Sequence, residues 1–340
     1  MFRQASRTPA DFSSLAILDR HRQISNVNSD SLGGEFSNDL AQAPAQLRAA
    51  QWGGSLLLSV GYDLPPCRIA AAQPREASLS HRRSPTAFFL LLLTIALPLW
   101  LVSGRLGVIS ALRIPTSDLA LAFSPMMAAL VMTAWREGWR AAVTLLKRAF
   151  DPTSMRGGYW NVATVLIPPS VYVTSWAVMR LAGSGGAPPP FEPLRLVLLL
   201  GLFLLLGAGE EVGWMGYAFE PMQRRWGALT ASAVLAGPWW LGHLPSMAEI
   251  GATRADMAWW ALGALGLRIV MAWLYNNTRS SLFAMVLFHA LLNLSRIATF
   301  PVIGSHYVTA YQAAADLGIA GLAVAALITT RGRLGEGDAR

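Results

Sequence analysis

Residues 194–217 read LRLVLLLGLFLLLGAGEEVGWMGY, and the placement of Glu210 and Glu211 in this run decides how the chain is understood. An apolar stretch of this length is a membrane-spanning helix by composition. A carboxylate near the bilayer centre costs roughly 2.5–3.5 kcal/mol even on insertion scales, so two in succession need a function inside the protein. Adjacent helical residues point about 100° apart. One glutamate can therefore face a chamber while the other turns to a partner.

Composition agrees with a membrane address. The chain has 340 residues, 54% hydrophobic and 14% charged, against about 25% charged in soluble domains. The formal charge of +8 comes mainly from arginines in the tail and loops, as the positive-inside rule expects. No basic motif interleaved with aromatics accompanies it, which excludes nucleic acid as the expected partner. Lys147 is the single lysine, a usage typical of a GC-rich, bacterial genome. Cys67 is the single cysteine, so neither an internal disulfide nor a cysteine metal site can form.

Outward from the Glu-Glu run, residues 1–85 are polar and read as a poorly ordered cytoplasmic tail without a leader peptide. Residues 86–330 hold eight expected spans, at about 87–104, 119–135, 159–182, 194–217, 228–246, 257–275, 280–299 and 307–329. Residues 331–340 form a second short tail. The expected fold class is all-α, a polytopic bundle of about eight transmembrane helices. Arg82 and Arg83, the 136–156 loop, Arg224 and Arg225, Arg279, and Arg331 and Arg333 put both termini in the cytoplasm of a bacterial inner membrane. Arg105 and Arg113 fall on the opposite side, against the rule. No internal repeat is visible, as an inverted-repeat transporter would require.

Five polar residues lie inside apolar spans: Glu210 and Glu211 on the fourth, His243 on the fifth, His289 and Asn293 on the seventh. His289 and Asn293 are four apart and share a helix face. Rise per residue puts Glu210, His243 and His289 about 15–25 Å from the cytoplasmic boundary, compatible with one pocket. Each alone reads as interhelical glue or an ion site. Together they are a water-activating set: a carboxylate base, a proton-shuttling imidazole, and donors for a developing oxyanion. Trp239, Trp240, Trp259 and Trp260 read as packing or interface residues, Arg195 as an interfacial charge, and Asp316 as a helix–helix hydrogen bond.

These residues resemble the CPBP (Abi) family of intramembrane proteases, the type II CAAX prenyl endopeptidases. The motif Glu-Glu-x-x-x-Arg corresponds to Glu210–Met215, His-x-Pro to His243–Pro245, and His-x-x-x-Asn to His289–Asn293. The resemblance implies an eight-helix bundle that hydrolyses peptides or membrane proteins at the bilayer. Glu210 and His243 would activate water, Glu211 would support them, and His289 with Asn293 would bind the oxyanion. No cofactor is expected, although Zn²⁺ is compatible with the residue types and would use Glu210, His243 and His289. Met215 stands where the family has Arg. Glu211 is then expected to be protonated more often or to find another partner; Arg268 on the sixth span is a candidate, its plainer reading being a snorkelling charge or a pair elsewhere. The departure also allows a non-catalytic scaffold or immunity factor; a small transporter is a further alternative.

Overall fold

In the computed structural model, residues 45–52, 55–62, 83–110, 112–156, 158–184, 192–303 and 306–335 are described. The chain divides into two compact units, Met1–Ala72 and Gln73–Arg340. In the first, β1 (Ala45–Trp52) pairs antiparallel with β2 (Ser55–Tyr62), from Ala45 opposite Tyr62 to Trp52 opposite Ser55. The expectation of a poorly ordered tail over 1–85 otherwise lies outside the described residues.

The second unit is a helical bundle. It runs α1 (Pro85–Leu106), a small hairpin of β3 (Val108–Ile109) and β4 (Ile114–Pro115), α2 (Asp118–Leu121), α3 (Ser124–Glu137), α4 (Trp139–Arg148) and α5 (Tyr159–Leu181). Then come α6 (Pro193–Gly213), a π-helical turn at Trp214–Phe219, α7 (Glu220–Trp226), α8 (Ala228–Glu249), α9 (Arg254–Asn277) and α10 (Leu282–Thr299). A hairpin of β5 (Val302–Ile303) and β6 (His306–Tyr307) leads into α11 (Thr309–Thr330). The helix starts carry their own signals. Ser84 caps α1, Thr253 and Asp256 form a capping box on α9, and Ser281 caps α10.

Among the described residues, seven helical stretches are long and apolar enough to cross a membrane, and the chain is an integral membrane protein. Their outward faces expose Leu90, Leu101, Leu166, Leu194 and Leu198, the residues a lipid-facing surface requires. The expected fifth span exists as α8 but is not among the seven. Glycine, proline, serine and histidine dilute its apolar run. The 136–156 stretch, expected as a loop, instead contains α4. Ala142 and Leu145 point inward there while Arg140 and Thr144 face out, an amphipathic pattern suited to the membrane interface.

α6 and α10 pack along one another, α6 also meets α3, and α9 is clasped by α8 and α11. Two glycines beside the glutamates set the α3–α6 approach. A Cβ on Gly209 would lie 2.6 Å from the Ala122 carbonyl oxygen, and one on Gly213 would lie 2.5 Å from that of Pro125. Backbone cannot yield as a side chain can. Gly213→Ala is therefore expected to destabilise the bundle by about 1–3 kcal/mol, read as a lower unfolding midpoint in detergent. An unchanged midpoint would mean that the helices do not meet there.

Arg83 fastens the bundle's edge. Its Nε and Nη2 donate to Glu137 Oε1 and Oε2 at 2.7 and 3.1 Å, and Nη1 donates to the Gly216 carbonyl at 3.0 Å. A fork-to-fork pair with one partner almost wholly enclosed is geometrically selective. It ties the start of α1 to the end of α3 and to the π-helical turn. At the other end, Leu334 is fully buried and its carbonyl accepts from Asn276 Nδ2 at 3.2 Å, so the first residues after α11 pack back on the bundle.

Candidate active site

Glu210 and Glu211 close the straight part of α6, one residue pair before a single π-helical turn. Such turns recur at functional sites because they re-aim side chains without ending the helix. The two carboxylates part as helical geometry requires. Glu210 lines a cavity of about 570 Å³, whose wall also includes His243, His289 and Asn293. Glu211 turns away from it and is fully buried.

Glu211 is held by two helices. Arg268 Nη1 on α9 donates to its Oε2 and Oε1 at 2.9 and 3.2 Å, and His289 Nδ1 on α10 lies 2.8 Å from Oε1. Arg268 is thus the cation that Met215 cannot be. Met215 itself is fully enclosed in the core. The Arg268 guanidinium sits 4.1 Å from the Trp239 ring centroid and 5.6 Å from that of Trp214. Its Nε and Nη2 find no hydrogen-bond acceptor among the described residues, and the indole faces stabilise its charge.

The hydrogen bonds fix both imidazoles. A carboxylate only accepts, so His289 Nδ1 donates to Glu211, and Nε2 points toward Glu210 Oε1 at 3.8 Å. A backbone carbonyl also only accepts, so His243 Nδ1, 2.7 Å from the Trp239 oxygen, carries a proton. In its neutral form His243 then presents an unprotonated Nε2. Asn293 Oδ1 accepts from Arg296 Nη2 at 3.4 Å, which leaves the amide NH₂ as its available donor.

Trp239 joins these pieces. Its indole N–H donates to Glu210 Oε2 at 2.7 Å, while its carbonyl holds His243. Its ring lies edge-on to both imidazoles, with centroids 5.5 Å from His243 and 5.9 Å from His289. Sequence reasoning assigned Trp239 and Trp260 to packing, yet both line the cavity. The signal was available: Trp239 precedes His243 by four residues and so shares its helix face. Asp316 was expected to bridge helices. It is instead bonded within α11 by Gln312 Nε2 at 3.0 and 3.2 Å, and packs where Gly263 leaves room. Arg195 pairs loosely with Glu192 at 3.8 Å near the start of α6.

The donor set fits a zinc ion poorly. Glu210, Glu211 and His289 each offer an atom within 4.8 Å of the others. However, both Glu211 oxygens already face Arg268 and one takes the His289 proton. A dication would have to share that carboxylate with a buried guanidinium. His243, expected as a ligand, is not in the group.

The fold and site define a polytopic membrane protein with a Glu/His chamber between its helices. Residues 192–295 match the family described as Type II CAAX prenyl endopeptidase Rce1-like. The chain is also similar to CAAX prenyl protease 2 of Methanococcus maripaludis, 31% identical over 108 residues, covering 29% of this chain and 40% of that protein. The chain thus spans less than half the length of this curated relative. Over this segment the chain is similar to that family, and the match contains Glu210, Glu211, Trp239, His243, Arg268, His289 and Asn293.

Proposed function

We propose that the protein is an intramembrane endopeptidase in which Glu210 activates water. The observation that carries this is the single clamp formed by Trp239, which holds the Glu210 carboxylate with its side chain and His243 with its carbonyl. Base and shuttle are thereby fixed on one cavity wall. Water attacks the peptide carbonyl carbon and gives its proton to Glu210, with His243 Nε2 as the second acceptor. The resulting oxyanion takes hydrogen bonds from the Asn293 NH₂ and from protonated His289 Nε2, whose Nδ1–H is anchored by Glu211. The proton then passes to the leaving nitrogen, and the C–N bond breaks. Arg268 and Glu211 act through His289 and touch no substrate.

The substrate is a peptide segment reaching the chamber from the bilayer, and both termini are cytoplasmic in a bacterial membrane. A metal-independent reaction agrees with the engagement of Glu211. The test compares peptide fragments in membranes of a deletion strain carrying wild type or Glu210→Gln. Fragments common to both would overturn the proposal. Treating wild-type membranes with millimolar 1,10-phenanthroline is expected to leave processing within twofold. A tenfold loss restored by Zn²⁺ would instead assign a metal.

The alternative is a non-catalytic scaffold. Its motive was Met215, and the Arg268–Glu211 pair removes most of that motive.

A further inference from the structure

α4 presents a basic stripe that the proposed reaction does not use. The helix lies between two membrane-crossing stretches, Asp118–Glu137 and Tyr159–Leu181, so its depth is that of the bilayer boundary. Ala142, Leu145 and Ala149 are buried against the bundle. Arg140, Thr144 and Lys147 are spaced by four and three residues, form one stripe on the opposite side, and are exposed. Neither Arg140 nor Lys147 has a carboxylate within ion-pair distance among the described residues. The nearest acids in sequence are engaged elsewhere, Glu137 by Arg83 and Asp151 by Thr153. Arg148, by contrast, is held by the bundle. Its Nη2 donates to the Tyr275 hydroxyl at 3.4 Å and to the Ser280 carbonyl at 3.3 Å.

Aromatic rings frame this stripe. Trp135, Trp139 and Phe150 are exposed at the end of α3 and at either end of α4. Arg136 stacks on Trp135, with its guanidinium carbon 5.2 Å from the ring centroid. Exposed tryptophan mixed with cations that lack an ion-pair partner is the composition of a surface seated among lipid headgroups. The complementary charge at that depth is a lipid phosphate. We propose that the exposed stripe of α4, with Trp135 and Trp139, is a docking surface for anionic phospholipid, and that the docked lipid braces the turn behind the Glu210–Glu211 pair. The second half follows from what α4 packs on. A Cβ on Gly216 would lie 3.1 Å from Leu145 Cδ1, so Leu145 abuts the π-helical turn Trp214–Phe219. Arg83 holds the same glycine by its carbonyl. A lipid that pins α4 to the membrane surface therefore keeps Leu145 seated on the turn that ends the straight part of α6. Neither half depends on the endopeptidase reading, and neither needs a substrate to be measured.

The test uses the full-length protein in neutral detergent, titrated with dioleoylphosphatidylglycerol or with dioleoylphosphatidylcholine, and counts bound lipid by native mass spectrometry. Phosphatidylglycerol is expected to bind about 25-fold more tightly, about fivefold for each of Arg140 and Lys147. Arg140→Gln with Lys147→Gln should remove the preference. Arg140→Lys with Lys147→Arg, which keeps both charges, should retain it. Equal binding of the two lipids overturns the surface, as does a preference that survives the double glutamine substitution. Loss of the preference in Arg224→Gln with Arg225→Gln also overturns it, because the attraction would then belong to basic residues at large and not to α4. Release of bound phosphatidylglycerol by millimolar glycerol phosphate would make this a site for free phosphate esters and overturn the lipid assignment. Hydrogen exchange reads the brace. Amides of residues 214–219 should exchange about threefold more slowly with phosphatidylglycerol than with phosphatidylcholine, and the difference should vanish in the double glutamine variant. Exchange that does not change as the lipid binds overturns the brace.

Discussion

Replacing Glu210 by Gln is expected to lower kcat for peptide hydrolysis by about 10²–10⁴-fold, the range associated with a positioned general base. The amide keeps the shape of the carboxylate and can still accept the Trp239 indole proton through its oxygen, so the helix packing around it persists. Glu210 is also only partly buried, at the cavity wall. The unfolding midpoint should therefore stay close to wild type while turnover collapses. The measurement is single-turnover cleavage by purified protein in vesicles, paired with a thermal scan. A variant that turns over within threefold of wild type would remove Glu210 from the mechanism.

The second large effect is on stability. Arg268→Met is expected to cost about 3–5 kcal/mol, because it strands the Glu211 carboxylate inside the bundle without its cation. Both side chains of this pair are wholly shielded, so no water is at hand to compensate. Combining Arg268→Met with Glu211→Gln should recover a substantial part of the loss, since the stranded charge goes too. Recovery of stability should not bring recovery of activity, because His289 Nδ1 would lose the carboxylate that orients it. Chemical denaturation of the two single variants and the double variant closes the cycle. Strict additivity of the two costs would show that the pair contributes no coupling.

Much of this was legible in the sequence because the bilayer makes polar residues conspicuous. Glu210, Glu211, His243, His289 and Asn293 stood out only against the apolar runs around them, and four of the five reach the cavity wall. Helical periodicity alone required the two glutamates to diverge. The absence of an arginine at position 215 left Glu211 either protonated or partnered from elsewhere, with Arg268 a candidate, and the structure pairs the two. The sequence could not reveal Trp239 as the clamp, because tryptophan is equally expected as packing. It also concealed Arg113. As a loop charge it only contradicted the topology rule, and its place beside Arg296 depends on both guanidinium groups meeting the Tyr307 ring, far from Arg113 in sequence. α4 was missed because its basic residues marked a loop while its apolar stripe was too short to count as a span.

The modest apolar content of α8 bears on how the protein is made. A helix carrying His243, two prolines and several small residues has little tendency to partition into lipid by itself. In the folded bundle it is held by α9 on one side and by the turn after α6 on the other. The last parts of the wall, α10 and then Tyr307 of β6 and Gln312 of α11, are translated later still. During biogenesis the chamber therefore stays open and unassembled until most of the chain has left the ribosome.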